Sequence, residues 1–266
     1  MNSPLLNLMS AAAIKAGKGL VRDFGEVDQL QVSRKGPANF VTESDKRTEK
    51  LLQRELSKAR PDYSFLLEEG GEVAGKDTAH RWIIDPLDGT TNFIHAIPYF
   101  CTSIGLEKRD TTGKSEIIAG VIFDPIHNEL FSAEKNKGAF LNGRRLAVSS
   151  RRTLEDAMLV TGTPRPLPGG PDVFSLFTSL AQCGATLRDF GAAALDLANL
   201  AAGRIDAAWL PLIQPWDIAA GMLLVQEAGG MVTGLDGKPA TIHSQTLLAS
   251  NQHLHTSMQK LLSKAV

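Results

Sequence analysis

The run from Trp82 to Phe93, W-I-I-D-P-L-D-G-T-T-N-F, places two carboxylates beside a tight turn. The β-branched pair before Asp85 predicts a strand that ends there, and Asp88 follows three residues later. Two carboxylates crowded at one strand end repel each other unless a cation lies between them. Gly89 permits the turn, and the N–H groups that follow it can face an anion. A cation beside an anion indicates metal-assisted chemistry on a phosphate group.

Further acidic residues stand at the predicted ends of other elements. Asp45 opens a helix after V-T-E-S, Glu68 and Glu69 follow the strand F-L-L, and Asp217 opens a helix after P-W. Carboxylates at strand ends and helix starts lie where α/β sheets form a shared cleft. Ligands that are all oxygen favour a hard cation, with Mg²⁺ ahead of Mn²⁺.

Taken singly, each acidic residue also has a purely structural interpretation. Asp45 fits a capping box with Thr42, and Asp217 complements the dipole of its helix. The pair Asp88-Gly89 fits an ordinary turn, and the two glutamates fit a solvated surface. Their joint placement favours the shared cleft.

Other sequence motifs are weaker. Gly70 to Asp77, G-G-E-V-A-G-K-D, approaches the phosphate loop of nucleotide hydrolases, but Asp77 stands where Ser or Thr would bind Mg²⁺. The chain has no G-x-S-x-G and no G-x-G-x-x-G that opens a helix, so a serine hydrolase of that type and a Rossmann site are unsupported.

Composition bounds the class of protein. With 266 residues, 43% of them hydrophobic, the chain can form one layered α/β domain. No apolar run reaches the roughly 18 residues of a spanning helix, so no membrane partner is expected. The net charge of −1 gives no electrostatic case for direct nucleic-acid binding. Two cysteines and no signal peptide predict free thiols and a cytoplasmic location.

The hydrophobic pattern interleaves helices with strands and hairpins, which predicts a mixed sheet with helical layers. The predicted helices are Leu5–Phe24, Asp45–Ala59, Val173–Gln182, Ala192–Ala202, Trp216–Ala228 and Leu254–Lys264. The predicted strands are Tyr63–Leu67, Arg81–Ile84, Phe100–Glu107, Ile117–Phe123, Glu129–Glu134, Thr186–Asp189 and Ile205–Leu210, with turns at D-P-I-H-N, Asn142-Gly143 and Asp236-Gly237. The stretch R-P-L-P-G-G-P divides the domain into two halves near residues 163–172.

Four signatures together resemble the inositol monophosphatase family of Mg²⁺-dependent phosphatases. They are F-V-T-E-S-D (Phe40 to Asp45), L-E-E-G (Leu67 to Gly70), the W-I-I-D-P-L-D-G-T-T-N-F run, and P-W-D-I-A-A-G followed by E-A-G-G. The resemblance extends from the first helix to Ser250-Asn251. It implies an α/β fold, a layered αβαβα sandwich with mixed sheets, and two or three Mg²⁺ ions that Mn²⁺ can replace.

The resemblance also implies a role for each site residue. Glu69, Asp85 and the backbone carbonyl of Leu87 surround one metal ion, Asp85, Asp88 and Asp217 hold a second, and Glu69 reaches a weaker third site through water. Thr90, supported by Asp45, orients the attacking water. The substrate lies against Asp88, Asp217, the N–H groups of Gly89 and Thr90, and a leaving-group side formed by Gly191, Ala192 and Ala193.

One position departs from the family pattern. Members that cleave inositol phosphates carry a Glu seven residues before the Asp of W-D, and this chain has Leu210 there. Leucine accepts no hydrogen bond from a sugar hydroxyl. Either other groups hold the sugar, or the substrate is shifted or broadened toward another sugar phosphate or a nucleotide phosphate.

The leading hypothesis is a Mg²⁺-dependent phosphomonoesterase that acts on a small polyol or sugar phosphate, with inositol 1-phosphate first. Related scaffolds hydrolyse fructose 1,6-bisphosphate, histidinol phosphate or 3′-phosphonucleotides. A second class of hypothesis is a regulatory protein that binds the transcription machinery, as some bacterial relatives do. The arginines at 144, 145, 151 and 152 cluster, which a solvated hairpin edge also explains. The family resemblance further implies a homodimer and inhibition by Li⁺.

Overall fold

The structure is a computed structural model that describes residues 3–25, 32–36, 39–163 and 172–263. Its helices are α1 (Pro4–Phe24), α2 (Glu43–Ala59), α3 (Thr90–Ile94), α4 (Val173–Gln182), α5 (Ala193–Ala201), α6 (Pro215–Glu227) and α7 (His255–Ser263). None of the helices in these ranges combines the length and the apolar character that crossing a membrane requires.

The strands form a two-stranded hairpin and two larger mixed sheets. They are β1 (Val32–Gly36), β2 (Asn39–Thr42), β3 (Tyr63–Leu67), β4 (Gly71–Val73), β5 (Asp77–Asp88), β6 (Cys101–Arg109), β7 (Ser115–Asp124), β8 (Glu129–Glu134), β9 (Gly138–Leu141), β10 (Arg144–Arg145), β11 (Met158–Thr161), β12 (Thr186–Arg188), β13 (Ala207–Pro211), β14 (Met231–Thr233) and β15 (Thr246–Ser250). The eight-stranded sheet has the order β10-β9-β8-β7-β6-β5-β3-β4, and the five-stranded sheet has the order β12-β11-β13-β15-β14.

The two large sheets alternate with pairs of helices. Helices α1 and α2 pack on the outer face of the eight-stranded sheet, and α5 and α6 lie between the sheets. Helices α4 and α7 cover the outer face of the five-stranded sheet. This order of layers confirms the predicted αβαβα sandwich.

Side-chain alternation along β5 places Asp85 on the face of the sheet that packs against α6. Trp82 and Ile84 pack with α1 and α2, whereas Ile83 packs with Ala219 of α6 on the opposite face. Because successive side chains of a strand point to opposite faces, Asp85 follows Ile83 to the α6 face. The strand therefore delivers this carboxylate toward the helix that carries Asp217.

Helix α6 approaches the sheet closely because the contact consists of small residues. Gly105 of β6 and Gly120 of β7 are paired in register. A Cβ added at Gly105 would lie 2.9 Å from the Cβ of Ala219, and one added at Gly120 would lie 2.9 Å from the Cα of Ala220. A larger side chain at either glycine would push α6, and Asp217 with it, away from the sheet.

Most predicted elements are present with shifted ends. The strand predicted at Arg81–Ile84 is longer, Asp77–Asp88, and the predicted turns at Asn142-Gly143 and Asp236-Gly237 both occur, each with its glycine at positive φ. The short strands β11 and β15 were not predicted, since four or five apolar residues in a row do not distinguish strand from helix. Both cysteines are free thiols, with Cys101 buried and Cys183 partly buried.

The predicted boundary between halves lies mostly outside the described residues, since residues 164–171 are not among them. The eight-stranded sheet is built from residues up to Arg145, and the five-stranded sheet from residues after Ala157. The division at 163–172 stays a prediction.

We expect Gly120→Ala to lower the free energy of unfolding by about 1–3 kcal/mol, because the added methyl group overpacks the contact with α6. Urea denaturation followed by circular dichroism measures the change. Gly19→Ala is the matched control: its Cβ meets nothing within 4 Å on helix α1, so a gain of up to about 1 kcal/mol is expected. Equal stability of Gly120→Ala and the wild type would contradict the packing argument.

Candidate active site

A β-bulge near the end of β5 sets the spacing of its two aspartates. Asp85 pairs with Ser103 of β6, and Asp88 pairs with Cys101, so three steps on β5 oppose two steps on β6. Pro86 lies in the bulge, where its missing N–H removes no ladder hydrogen bond. The expectation that the strand ends at Asp85 is therefore wrong, because it continues irregularly to Asp88.

Asp85, Asp88, Asp217 and Glu68 form a cluster of carboxylates that repel one another. Burial raises the pKa of Asp85 well above its usual range, and the charges of Glu68, Asp88 and Asp217 add to the effect. Burial also raises the pKa of Asp88 to about 7, although the N–H groups of α5 oppose it. The pKa of Asp217 rises to about 7 through burial and the charge of Asp88. Three elements far apart in sequence thus place their acids in one space.

The structure separates the two adjacent glutamates. Glu68 acts on the pKa of both Asp85 and Asp88, whereas Glu69 acts on that of Asp45. The backbone N–H of Glu68 donates to the carbonyl of Ile84 at 3.2 Å, which extends the parallel pairing of β3 with β5 by one residue. Glu68 therefore shares the face of Leu66, the α6 face. The alternation of side chains along F-L-L-E-E is a sequence signal that distinguishes Glu68 from Glu69, whereas the family resemblance pointed to Glu69.

Thr90 and Asp45 lie together, as predicted. Thr90 Oγ1 is 3.2 Å from Asp45 Oδ1 and 3.0 Å from the carbonyl oxygen of Leu87. The other oxygen of Asp45 accepts the backbone N–H of Thr42 at 2.8 Å, which confirms the capping box of α2. Burial raises the pKa of Asp45, while the Thr42 hydrogen bonds oppose the rise and Glu69 adds to it. One carboxylate therefore caps a helix and orients the Thr90 hydroxyl.

Gly89 makes the turn between β5 and α3. Its φ of +92° lies in the left-handed region, and a Cβ there would lie 2.9 Å from the carbonyl oxygen of Tyr99. Both facts require glycine. The turn places the N–H groups of Gly89 and Thr90 directly after the two aspartates.

The N-terminus of α5 is capped by Asp88 from another layer. Helix α5 begins after Ala192, which has no side chain to cap it. Asp88 Oδ2 instead accepts the N–H of Ala194 at 2.7 Å and lies 3.4 Å from the N–H of Leu195. This contact brings the predicted leaving-group residues Gly191, Ala192 and Ala193 beside the acidic cluster.

An open cleft of about 500 Å³ runs along these groups. Asp88 and Asp217 line it, together with Gly191, Ala192 and Ala193. Leu210 also lines it, and this residue is buried in the core between the two sheets. Thus residues from both sheets, predicted from separate motifs, meet at one opening.

The donor set fits a hard cation. Asp88 Oδ2 and Asp217 Oδ2 accept backbone N–H groups, whereas the second oxygen of each accepts no hydrogen bond from the described residues. Across the same ranges, neither lysine nor arginine forms an ion pair with Asp85, Asp88 or Asp217. No three acidic, histidine or cysteine side chains of the described part of the chain are already arranged around one point, so ion binding would draw the carboxylates together.

In EDTA, the free energy of unfolding should fall less between pH 5 and pH 8 for Asp217→Asn than for the wild type. The pKa of Asp217 is about 7 in the folded protein and about 3.9 in an unfolded chain. Between these values the folded protein holds a proton that the unfolded chain has released, so stability falls as pH rises. The amide oxygen of asparagine can still accept the hydrogen bond from the backbone N–H of Gln214, but the side chain does not ionise.

Urea unfolding at the two pH values measures this change. Asp236→Asn is the control, because Asp236 is exposed and its pKa is lowered, so it does not titrate in this window. Equal declines in the wild type and Asp217→Asn would show that burial and the charge of Asp88 do not raise the pKa of Asp217.

Sequence and structure comparisons agree on the family. A family model described as the inositol monophosphatase family matches residues 1–266. An inositol-1-monophosphatase of Caulobacter vibrioides is 50% identical over 260 residues, which is 97% of this chain and 100% of that protein. A protein of Pseudomonas aeruginosa named Nus factor SuhB is 41% identical over 253 residues, covering 93% of this chain and 92% of its own length.

A crystal structure of the extragenic suppressor protein suhB from Bartonella henselae matches with a TM-score of 0.93 at 48% identity, covering 99% of this chain and 100% of that one. With the four signatures in place, the carboxylate cluster built and the whole length matched, the chain belongs to the inositol monophosphatase family of phosphatases.

Proposed function

We propose that the protein is a Mg²⁺-dependent phosphomonoesterase that hydrolyses small alcohol phosphates, with inositol 1-phosphate as the first candidate. The observation that carries the proposal is the cluster of Glu68, Asp85, Asp88 and Asp217, where burial and then the neighbouring carboxylates raise the pKa values of the three aspartates. Divalent cations relieve the repulsion among such carboxylates. The relative of Caulobacter vibrioides carries the name inositol-1-monophosphatase, which supports the substrate.

Two or three Mg²⁺ ions would be held by oxygen ligands from three elements, and Mn²⁺ could replace them. Glu68, Asp85 and the carbonyl of Leu87 are proposed for the first ion, and Asp85, Asp88 and Asp217 for the second. Glu68 takes the place expected for Glu69, because it is the glutamate that faces the aspartates. Glu69 is assigned to the side of Asp45 and to the third ion. When bound, the ions acidify water and offset charge on the phosphoryl oxygens and the leaving oxygen.

Thr90 and Asp45 would position the attacking water. The single Thr90 hydroxyl proton is shared between Asp45 Oδ1 and the Leu87 carbonyl, so the lone pairs of Oγ1 remain to accept a hydrogen bond from water. The water oxygen forms a bond to phosphorus as the bond from phosphorus to the ester oxygen breaks. Inorganic phosphate and an alcohol leave. One proton of the water ends on the alcohol, and the other stays on the phosphate.

The backbone N–H groups of Gly89 and Thr90 are proposed to bind the phosphoryl oxygens, where charge grows in the transition state. Gly191, Ala192 and Ala193 are proposed to line the leaving-group side. Asp88 connects the two regions, since it belongs to the acidic cluster and caps α5. A shift of α5 would therefore change both the chemistry and the leaving-group side.

A second candidate function is supported by the relative named Nus factor SuhB. Binding to the transcription machinery would survive Asp88→Asn, whereas phosphatase turnover would not. The arginine cluster offers little for nucleic acid: Arg144 and Arg145 form the exposed edge strand β10, and Arg151 pairs with Asp206 at 3.1 Å. A homodimer, a cytoplasmic location and inhibition by Li⁺ stay predictions.

We expect Asp88→Asn to lower kcat by orders of magnitude while the fold is retained, because the variant removes a proposed metal ligand and keeps an oxygen for the N–H of Ala194. Phosphate release from inositol 1-phosphate measures the loss, and circular dichroism checks the fold. For the wild type, EDTA should abolish release and Mg²⁺ should restore it. Normal turnover in EDTA, or in a folded Asp88→Asn, would contradict the proposed function.

We expect Glu68→Gln to impair activity far more than Glu69→Gln. A direct metal ligand should cost orders of magnitude in kcat, and a residue that acts through neighbours should cost less than about tenfold. The Mg²⁺ concentration needed for half-maximal activity provides a second readout and should rise for Glu68→Gln. A larger effect at Glu69 would return the first metal site to the residue expected from sequence.

A further inference from the structure

Away from Asp88 and Asp217, the cleft has an apolar wall formed by residues 210–213. Leu210 and Ile213 are buried in the core between the sheets and reach the cleft at its lining. Leu212 lies between them and is 37% exposed. We call this segment the 210–213 wall.

The backbone of the 210–213 wall is strained at its exposed residue. Leu212 has φ +56°, a conformation that few residues other than glycine, asparagine and aspartate adopt. Strain of this kind persists where the surrounding structure imposes it, and it gathers at binding sites. Here it holds an apolar side chain at the opening, where water would favour a polar one.

Three of the polar side chains that line the cleft, Asn92, Asp189 and Asp196, are already hydrogen-bonded within the protein. Asp189 Oδ2 accepts from Thr163 Oγ1 at 2.6 Å, and its other oxygen accepts the N–H of Gly191 at 3.1 Å. Asp196 accepts the Tyr99 hydroxyl at 2.7 Å.

The side-chain amide of Asn92 also donates its hydrogen bonds within the protein. Its amide nitrogen lies 2.8 Å from the carbonyl oxygen of Tyr99 and 2.7 Å from that of Phe190, so both its donors are used. The side chains of the 210–213 wall itself carry no hydrogen-bond donor or acceptor. A ring hydroxyl that faces this wall therefore gives up water for no side-chain partner.

We propose that the 210–213 wall contacts the carbon face of the leaving alcohol and that its side chains form no hydrogen bond with the hydroxyl groups of that alcohol. The substrate class then extends to phosphomonoesters of cyclic aliphatic alcohols without hydroxyl substituents. The inference rests on the proposed function, because it concerns the leaving group of that same hydrolysis. A wall that contacts only the carbon ring can accept a polyol, but it does not need hydroxyl groups on the ring for binding.

The test compares cyclohexyl phosphate with inositol 1-phosphate, which share a six-membered carbon ring and differ in the ring hydroxyls. The hydroxyls make the inositol alkoxide the better leaving group, so a difference in kcat can arise from reactivity alone and KM is the quantity to compare. With Mg²⁺ present, we expect the KM for cyclohexyl phosphate to be at most about three times the KM for inositol 1-phosphate. A larger difference in KM overturns the inference. Release of phosphate from neither compound contradicts the proposed function instead.

Variants of the wall test the contact itself. Leu212→Asn keeps a residue that tolerates the left-handed conformation and replaces the apolar contact with an amide. We expect it to lower the ratio of kcat/KM for cyclohexyl phosphate to that for inositol 1-phosphate about tenfold. Leu210→Glu should move the ratio in the same direction, and Leu212→Asn, at an exposed position, keeps the test valid if the buried variant fails to fold.

Met231→Gln is the matched control, because Met231 is 40% exposed on β14 and does not line the cleft. It should leave the ratio unchanged. An unchanged ratio in folded Leu212→Asn overturns the inference, because the leucine then makes no contact that distinguishes the two rings.

Discussion

Carboxylates that repel one another are held together beside an open cleft, and the packing of the surrounding fold must overcome that repulsion. Glu68 follows β3, Asp85 and Asp88 belong to β5, and Asp217 belongs to α6. The pKa values of the three aspartates rise because burial, and then the neighbouring charges, disfavour the ionised form. Such a cluster opposes folding at neutral pH, so the apolar layers around it must hold it in place. Its chemical use follows from the same property, since a cation is bound most strongly where charge is concentrated and desolvated.

The scaffold holds the cluster through close backbone contacts. Gly105 and Gly120 let α6 rest against the eight-stranded sheet, which sets the height of Asp217 above Asp85. Backbone N–H groups hold one oxygen of Asp85, Asp88 and Asp217 each. Each aspartate thereby keeps a defined orientation in spite of the repulsion. Asp88 also serves as the cap that α5 lacks, so the position of that helix depends on the acidic cluster.

In the proposed function, the cleft has a phosphoryl side and a leaving-group side. The phosphoryl side would consist of the acidic groups and the turn at Gly89, contributed by the eight-stranded sheet and the start of α6. The leaving-group side would consist of the loop before α5 and the 210–213 wall, contributed by the second half of the chain. Because the two sides come from different segments, a change such as leucine at position 210 would alter what the alcohol contacts and leave the carboxylates in place.

The sequence by itself determined many of the elements and the layered fold, and it named most of the residues that the structure brings together at the cleft. The hydrophobic pattern placed the strands Tyr63–Leu67 and Glu129–Glu134 and the helix Val173–Gln182 at their observed bounds. Only the tertiary structure decided which of Glu68 and Glu69 faces the aspartates, because that depends on how far the pairing of β3 with β5 continues. The tertiary structure also decided that Asp88 caps α5. It likewise decided that Asn92, Asp189 and Asp196 form hydrogen bonds within the protein, because these contacts join different segments. Local spacing carries information about single elements, whereas the direction of a side chain at the end of one element depends on the neighbour against which it packs.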